Sequence, residues 1–181
     1  LERLVDSVPP HVIVLIAEAY IHFVDEPNYR SAVELATSRE NVVVTRTFSK
    51  LYGLVQMQLG YTVSGEKIKS RLSNYDTSKI NKLTSAAGVA AVKDKEHVRR
   101  TLRMVQAFKE RCYAKFDTMG LEYIKSHSNF LTVNANMDSD TVKQELEKRG
   151  VRISNSGLTD LKTWIRVSAG TVDETEIFLK E

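Results

Sequence analysis

The sequence predicts an α/β unit containing parallel strands, followed by a smaller α+β unit. Short apolar runs at 12–16, 41–45 and 59–63 alternate with helical stretches. A long amphipathic helix opens at Asp94, and beyond Gly120 the order is strand, strand, helix, strand, strand. Continuous apolar runs without polar alternation are what strands covered on both faces show, and their alternation with helices argues for parallel pairing.

Residues 1–7 read as the tail of a helix, closed by Pro9-Pro10, which cannot continue one. After the first strand, a loop containing Asp25-Glu26-Pro27-Asn28 leads to a short helix around 31–37. Helices are expected over 66–72 and 79–92. Asp94 suits the N-cap of the next, whose apolar residues Val98, Leu102, Val105, Phe108, Cys112 and Phe116 recur in steps of three and four. That stripe puts Cys112 toward a core and leaves Lys93, Lys95, Arg99, Arg100 and Arg103 on a solvated face. Met119-Gly120 ends the helix. Strands follow at 121–124 and 130–133. Next come a helix capped by Ser139 with Val142 and Leu146 inward, strands at 151–153 and 163–167, and a last helix over 173–179.

Composition narrows the class. With 42% hydrophobic and 27% charged residues in 181, the chain is globular, one domain's worth or one and a half small ones. The net charge of +3 comes from basic residues interleaved with acidic ones, so no nucleic-acid partner is expected. No apolar run is long enough for a bilayer, and no signal layout opens the chain. The single cysteine rules out an internal disulfide and fits a reducing compartment, so the expectation is cytoplasmic.

The chemistry concentrates in Thr45-Arg46-Thr47-Phe48-Ser49-Lys50, which runs into Leu51-Tyr52-Gly53-Leu54. Lys50 follows an apolar strand, and the glycine three residues on lets the chain turn tightly. A lysine so placed can be desolvated, which disfavours its charged form and makes the amine a nucleophile toward an aldehyde. By itself it is weak evidence, since most such lysines are simply the solvated end of an element. Upstream lies Glu18-Ala19-Tyr20, and downstream Gln58-Leu59-Gly60-Tyr61 and Trp164-Ile165-Arg166-Val167-Ser168-Ala169-Gly170. This ordered set resembles the fold-type I pyridoxal-phosphate-dependent aminotransferases, and most closely the histidinol-phosphate aminotransferase group, over nearly the whole chain.

The resemblance implies a C-terminal part of the cofactor-binding large domain over 1–95 and the small C-terminal domain over 96–181. It implies that Lys50 holds pyridoxal 5'-phosphate and then moves a proton at the substrate α-carbon. Ser49 would contact the cofactor phosphate and Tyr20 the phenolic oxygen of its ring. Arg166 would grip the substrate carboxylate, and Asn129 would stand near that carboxylate. Substrates would be an amino acid and a 2-oxo acid, and the assembly a homodimer or a pairing with a complementary N-terminal half. Outside that context Ser49 reads as a strand-end serine bonding its own backbone, Tyr20 as packing, and Arg166 and Asn129 as strand-edge polar residues.

Five positions depart from the family pattern. Ala17 stands where an aspartate pairs with the ring nitrogen, and Glu18 points to the other face of the strand. Gln58 replaces a phosphate-binding arginine, Val55-Gln56 replace Ala-Gly, and Ser154 replaces an arginine that helps define the substrate side chain. The family's N-terminal motifs have no counterpart, so a fragment, a split subunit or a truncated descendant is expected, with cofactor binding and turnover impaired in this chain alone. The alternatives are a catalytically dead fold remnant with a structural or interaction role, and a lyase or racemase sharing the lysine chemistry.

Overall fold

The apolar strand Val42–Thr47 organises the N-terminal part of the molecule, because both of its neighbours are held through it. The computed structural model describes residues 1–74, 80–157 and 160–181 and divides into two compact units, Leu1–His97 and Val98–Glu181. In the first unit, α1 (Glu2–Ser7) precedes β1 (Val14–Ala17), and α2 (Val33–Ser38) leads into β2 (Val42–Thr47). β3 (Gly60–Ser64) follows, then α3 (Glu66–Ser73) and α4 (Lys82–Lys93). The sheet order is β1-β2-β3.

β1 pairs parallel with β2 through the crossover that contains α2. β3 runs antiparallel to β2, with Thr47 opposite Gly60. The connection from β2 to β3 holds only one short 3-10 turn, Val55–Met57, and without a crossover helix the chain doubles back. The expected α/β class holds, while the third strand departs from parallel pairing.

The core of this unit lies on one face of the sheet. Val42 and Val44 of β2 pack with Val5 of α1 and with Ala32 and Ala36 at α2, and Val14, Ile16 and Val63 close around them. The expectation that residues 12–16 are buried on both faces is therefore corrected. β1 is an edge strand of this sheet, and Leu15, pointing away from that core, is 64% exposed. Tyr61 of β3 is likewise exposed. Gly60 owes its identity to close approach, since a Cβ there would lie 2.7 Å from the main-chain oxygen of Arg46.

Asn81 caps α4 by accepting the Thr84 N–H at 2.8 Å. Lys79, where that helix was expected to begin, lies outside the described residues. Asp94 caps the next helix as expected, its carboxylate accepting the His97 N–H at 2.9 Å. That helix, α5 (Lys95–Met119), exposes Lys95, Arg99, Arg100 and Arg103.

The second unit is built on a four-stranded antiparallel sheet of order β4-β5-β7-β6. Its strands are β4 (Tyr123–Ile124), β5 (Phe130–Asn134), β6 (Ser154–Asn155) and β7 (Trp164–Ser168). The two long strands alternate strictly, so Leu131, Val133, Ile165 and Val167 face Phe108, Cys112 and Phe116 of α5. Burial pushes the Cys112 thiol up to about 12, with Arg111 pulling slightly the other way. Two helices complete the unit, α6 (Ser139–Lys148) and α7 (Val172–Lys180), the latter opened by a capping box between Thr171 and Glu174.

Two local expectations are corrected. Asp138, not Ser139, caps α6, accepting the Thr141 N–H at 3.0 Å, and Ser139 becomes the buried first helical residue. Residues 151–153 are not a strand, and the first of them is still engaged in closing α6. Gly150, at φ +83°, donates to the Glu147 carbonyl and Val151 donates to the Leu146 carbonyl, so pairing starts only at Ser154. Among the described residues no helix is long and apolar enough to cross a membrane.

Gly60→Ala is expected to push β3 off the Arg46 carbonyl and to cost about 1–3 kcal/mol, as overpacking does. Thermal unfolding of the variant should show a lowered midpoint; an unchanged one would contradict the close approach.

Candidate active site

The pleat at the ends of β1 and β2 sorts the polar residues into two sets. Ala17 pairs with Thr45, so these two and Thr47 share the face away from the core, whereas Glu18 and Arg46 lie on the opposite face. Glu18 is 4% exposed and its carboxylate is fully engaged. Oε1 accepts the Ala32 N–H at 2.7 Å, and Oε2 accepts from Ser31 Oγ at 2.9 Å and from Arg46 Nε and Nη2 at 3.0 and 2.8 Å. Arg46 also donates to Ser31 Oγ at 2.8 Å. Burial alone would raise the Glu18 carboxyl. The bonds from Ala32, Arg46 and Ser31 outweigh it and hold the group below the usual carboxylate range. Burial and the nearby Arg46 guanidinium together lower the His22 imidazole.

On leaving β2, the chain makes a closed turn around Lys50. Phe48 donates its N–H to Leu59 and accepts at its carbonyl from Leu54, and Gly53, at φ +67°, donates to the Lys50 carbonyl at 3.1 Å. The glycine expected to allow this turn adopts the left-handed conformation that the turn requires. Leu51 is buried beneath it, and a ring nitrogen of His97 lies 3.1 Å from the Leu51 carbonyl oxygen. Thr47 Oγ1 accepts the Ser49 N–H at 3.0 Å and donates to Ser49 Oγ at 2.9 Å.

Of the residues singled out in the sequence, the structure brings Lys50 and Tyr20 together. Lys50 Nζ sits 5.3 Å from the centroid of the Tyr20 ring, a cation–π distance. Tyr52 flanks this turn, edge-on to His22 and tilted against Phe48. Ser49 stands next to Lys50 with its hydroxyl bonded to Thr47. Gln58 is exposed and left-handed, at φ 49°, where it closes the turn Val55–Met57.

In the second unit, Arg166 lies in the middle of β7, opposite Thr132 on one side and Ser154 on the other. Its guanidinium carbon is 4.6 Å from the Phe130 ring centroid, and its Nε is buried without a hydrogen-bond partner among the described residues. Asn129 immediately precedes β5, and its carbonyl accepts the Ala169 N–H at 2.9 Å, which ties it to the end of β7. The first unit thus offers an amine, a phenol and two hydroxyls. The second offers a planar cationic donor of the kind that matches a carboxylate.

The Glu18–Arg46 pair had no role assigned from sequence. Its signal was there: opposite charges end two apolar runs, and parallel register aligns them once Ala17 is set against Thr45.

The model of the family "Aminotransferase class I and II" matches residues 1–181. A histidinol-phosphate aminotransferase of Caldicellulosiruptor saccharolyticus is 31% identical over 99% of this chain and 51% of its own length. That of Symbiobacterium thermophilum is 36% identical over 99% of this chain and 50% of its own. The crystal structure of histidinol-phosphate aminotransferase from Sinorhizobium meliloti in complex with pyridoxal-5'-phosphate superposes with a TM-score of 0.86 at 23% identity. It covers 99% of this chain and 50% of that one, and shows likeness of fold. The chain spans about half the length of the curated relatives it matches.

The lowered Glu18 carboxyl predicts an acid-sensitive first unit. A group that titrates lower when folded than when unfolded contributes in full above its unfolded value, and that contribution is lost as pH falls through the folded one. Stability should therefore decline below about pH 4.3, the ordinary glutamate value, and Glu18→Gln should flatten that limb while lowering stability at pH 7. Arg46→Ala, which strands a buried carboxylate, should cost about 3–5 kcal/mol at pH 7. Urea unfolding from pH 3 to 7 reads both effects.

Proposed function

The chain belongs to the class I and II aminotransferase family, and on that premise we propose that it serves in a pyridoxal-phosphate-dependent aminotransferase of the histidinol-phosphate group. The reaction moves an amino group between an amino acid and a 2-oxo acid. The observation that carries this reading is the Lys50 amine held over the Tyr20 ring, with the Ser49 and Thr47 hydroxyls next in the chain. Residues 1–95 then correspond to the C-terminal part of the cofactor-binding domain and 96–181 to the small domain. A homodimer or a complementary N-terminal half completes the assembly, in the cytoplasm.

The residues present fit the cofactor at its aldehyde and phosphate ends. Lys50 would hold the aldehyde and, once released, act as a positioned base for the proton on the substrate α-carbon. Tyr20 would donate to the phenolic oxygen of the ring, and Ser49 would face the phosphate. Gln58 would meet the same phosphate with a neutral amide, losing a charge-assisted bond. When bound, the cofactor supplies an electron sink for the α-carbon. Arg166, with its buried unpaired Nε, is suited to grip the substrate carboxylate, and Asn129, tied to the end of β7 through Ala169, would stand near that carboxylate.

Ala17 favours a second reading, a dead fold remnant or a split subunit with an interaction role. No side chain at that position can pair with a ring nitrogen, and the adjacent carboxylate, Glu18, is committed to Arg46 on the other face. Loss of one electrostatic group at a reacting centre commonly costs about 10²–10³ in rate. Absorbance titration with pyridoxal phosphate separates the two readings. A visible band that disappears in Lys50→Ala, with borohydride-fixed label mapped to Lys50, is expected for the enzyme reading. No band, or label scattered over exposed lysines, supports the remnant.

A further inference from the structure

Lys109 is the one buried lysine among the described residues, 3% exposed on the core-facing side of α5 between Phe108 and Cys112. An ammonium group is costly in such a place, and an apolar residue would serve the core better. Its Nζ reaches out of the helix to donate to the Ser126 carbonyl at 3.1 Å. Four residues on, and so on the same helix face, the Tyr113 hydroxyl accepts the Ser126 N–H at 2.8 Å. The two side chains thus hold both main-chain polar groups of one residue. Tyr113 is itself fixed by stacking on Tyr123 at 4.8 Å.

From Ser126 the hold passes along the chain. Ser126 Oγ accepts the Ser128 N–H at 3.1 Å and lies 2.8 Å from Ser128 Oγ. Ser128 Oγ in turn accepts the Phe130 N–H at 3.2 Å and donates to the Phe130 carbonyl at 3.1 Å. Between these clamped residues stands Asn129, and Phe130 carries the Arg166 guanidinium on its ring. We propose that Lys109 and Tyr113 are positioning residues: by gripping Ser126 they set the turn that orients Asn129 and the Phe130 platform under Arg166 for a substrate carboxylate. This rests on the reading of Arg166 and Asn129 as the carboxylate site.

The test uses the isotope-labelled full chain without cofactor, titrated with 2-oxoglutarate, with the Asn129 side-chain amide signals as readout. Wild type, Tyr113→Phe, Lys109→Met and Arg166→Ala are compared. Tyr113→Phe removes one hydroxyl and keeps the ring, so it remains informative if Lys109→Met fails to fold. Tyr113→Phe and Lys109→Met are each expected to weaken binding about three- to tenfold, the effect of losing one hydrogen bond. The Asn129 amide resonance of the free protein should move and exchange at the Ala169 N–H should accelerate, while the methyl signals of Leu131 and Val133 stay in place. Weakening in Arg166→Ala without any in Tyr113→Phe overturns the positioning role alone. Binding that is absent, or unaffected by Arg166→Ala, overturns the carboxylate reading and this inference with it.

Discussion

The buried pair of Glu18 and Arg46 is the constraint from which the geometry of the first unit follows. It sits where β1 and β2 both stop being apolar, and it binds the two strand ends to each other and to the start of α2 through Ser31 and Ala32. Two residues beyond Glu18 the chain reaches Tyr20, and four beyond Arg46 it reaches Lys50. The pair therefore fixes the two points from which the amine and the phenol are presented. A buried ion pair is weak evidence of stability, because desolvation consumes most of what attraction supplies. Its value here is registry, since a slip of either strand would part the carboxylate from its partners.

The two units hold the cations of the proposed site differently. Lys50 comes from a turn outside the ladder, held by main-chain bonds and the left-handed Gly53. Arg166 comes from the middle of a strand, its direction set by alternation with the buried Ile165 and Val167. The first arrangement leaves a flexible four-carbon stem able to swing, as a lysine that must bind and release would need. The second gives a rigid planar fork on an aromatic platform, suited to a donor that stays put while ligands exchange.

Much of this was legible in the sequence, and the failures have physical causes. The α5 stripe and the β2 run were readable because burial imposes a period or an unbroken apolar stretch on the residues themselves. The cap of α6 was misplaced by one residue because Asp138 and Ser139 are both good caps, and only the bond to Thr141 decides between them. Residues 151–153 have strand composition, but the Val151 N–H is spent on ending α6 and pairing starts only at Ser154. Lys50 and Tyr20 were singled out by the order of their motifs, whereas nothing local to Lys109 marked it out from other lysines on a long helix. Its role depends on a turn seventeen residues away.

Ala17 shows how far geometry can narrow a functional question. A strand offers each face only every second residue, so on the proposed reading a carboxylate missing at position 17 could be replaced from these two strands only by a group on the same face, and Leu15, Val43, Thr45 and Thr47 there carry no charge. Glu18, the nearest carboxylate in sequence, could turn to that face only by a one-residue slip of β1. The slip would also carry Val14 and Ile16 out of the core and break four hydrogen bonds to the Glu18 carboxylate. The same registry that holds Tyr20 and Lys50 in place thus keeps Glu18 on the core face. Any counter-charge for a ring nitrogen would have to arise outside β1 and β2.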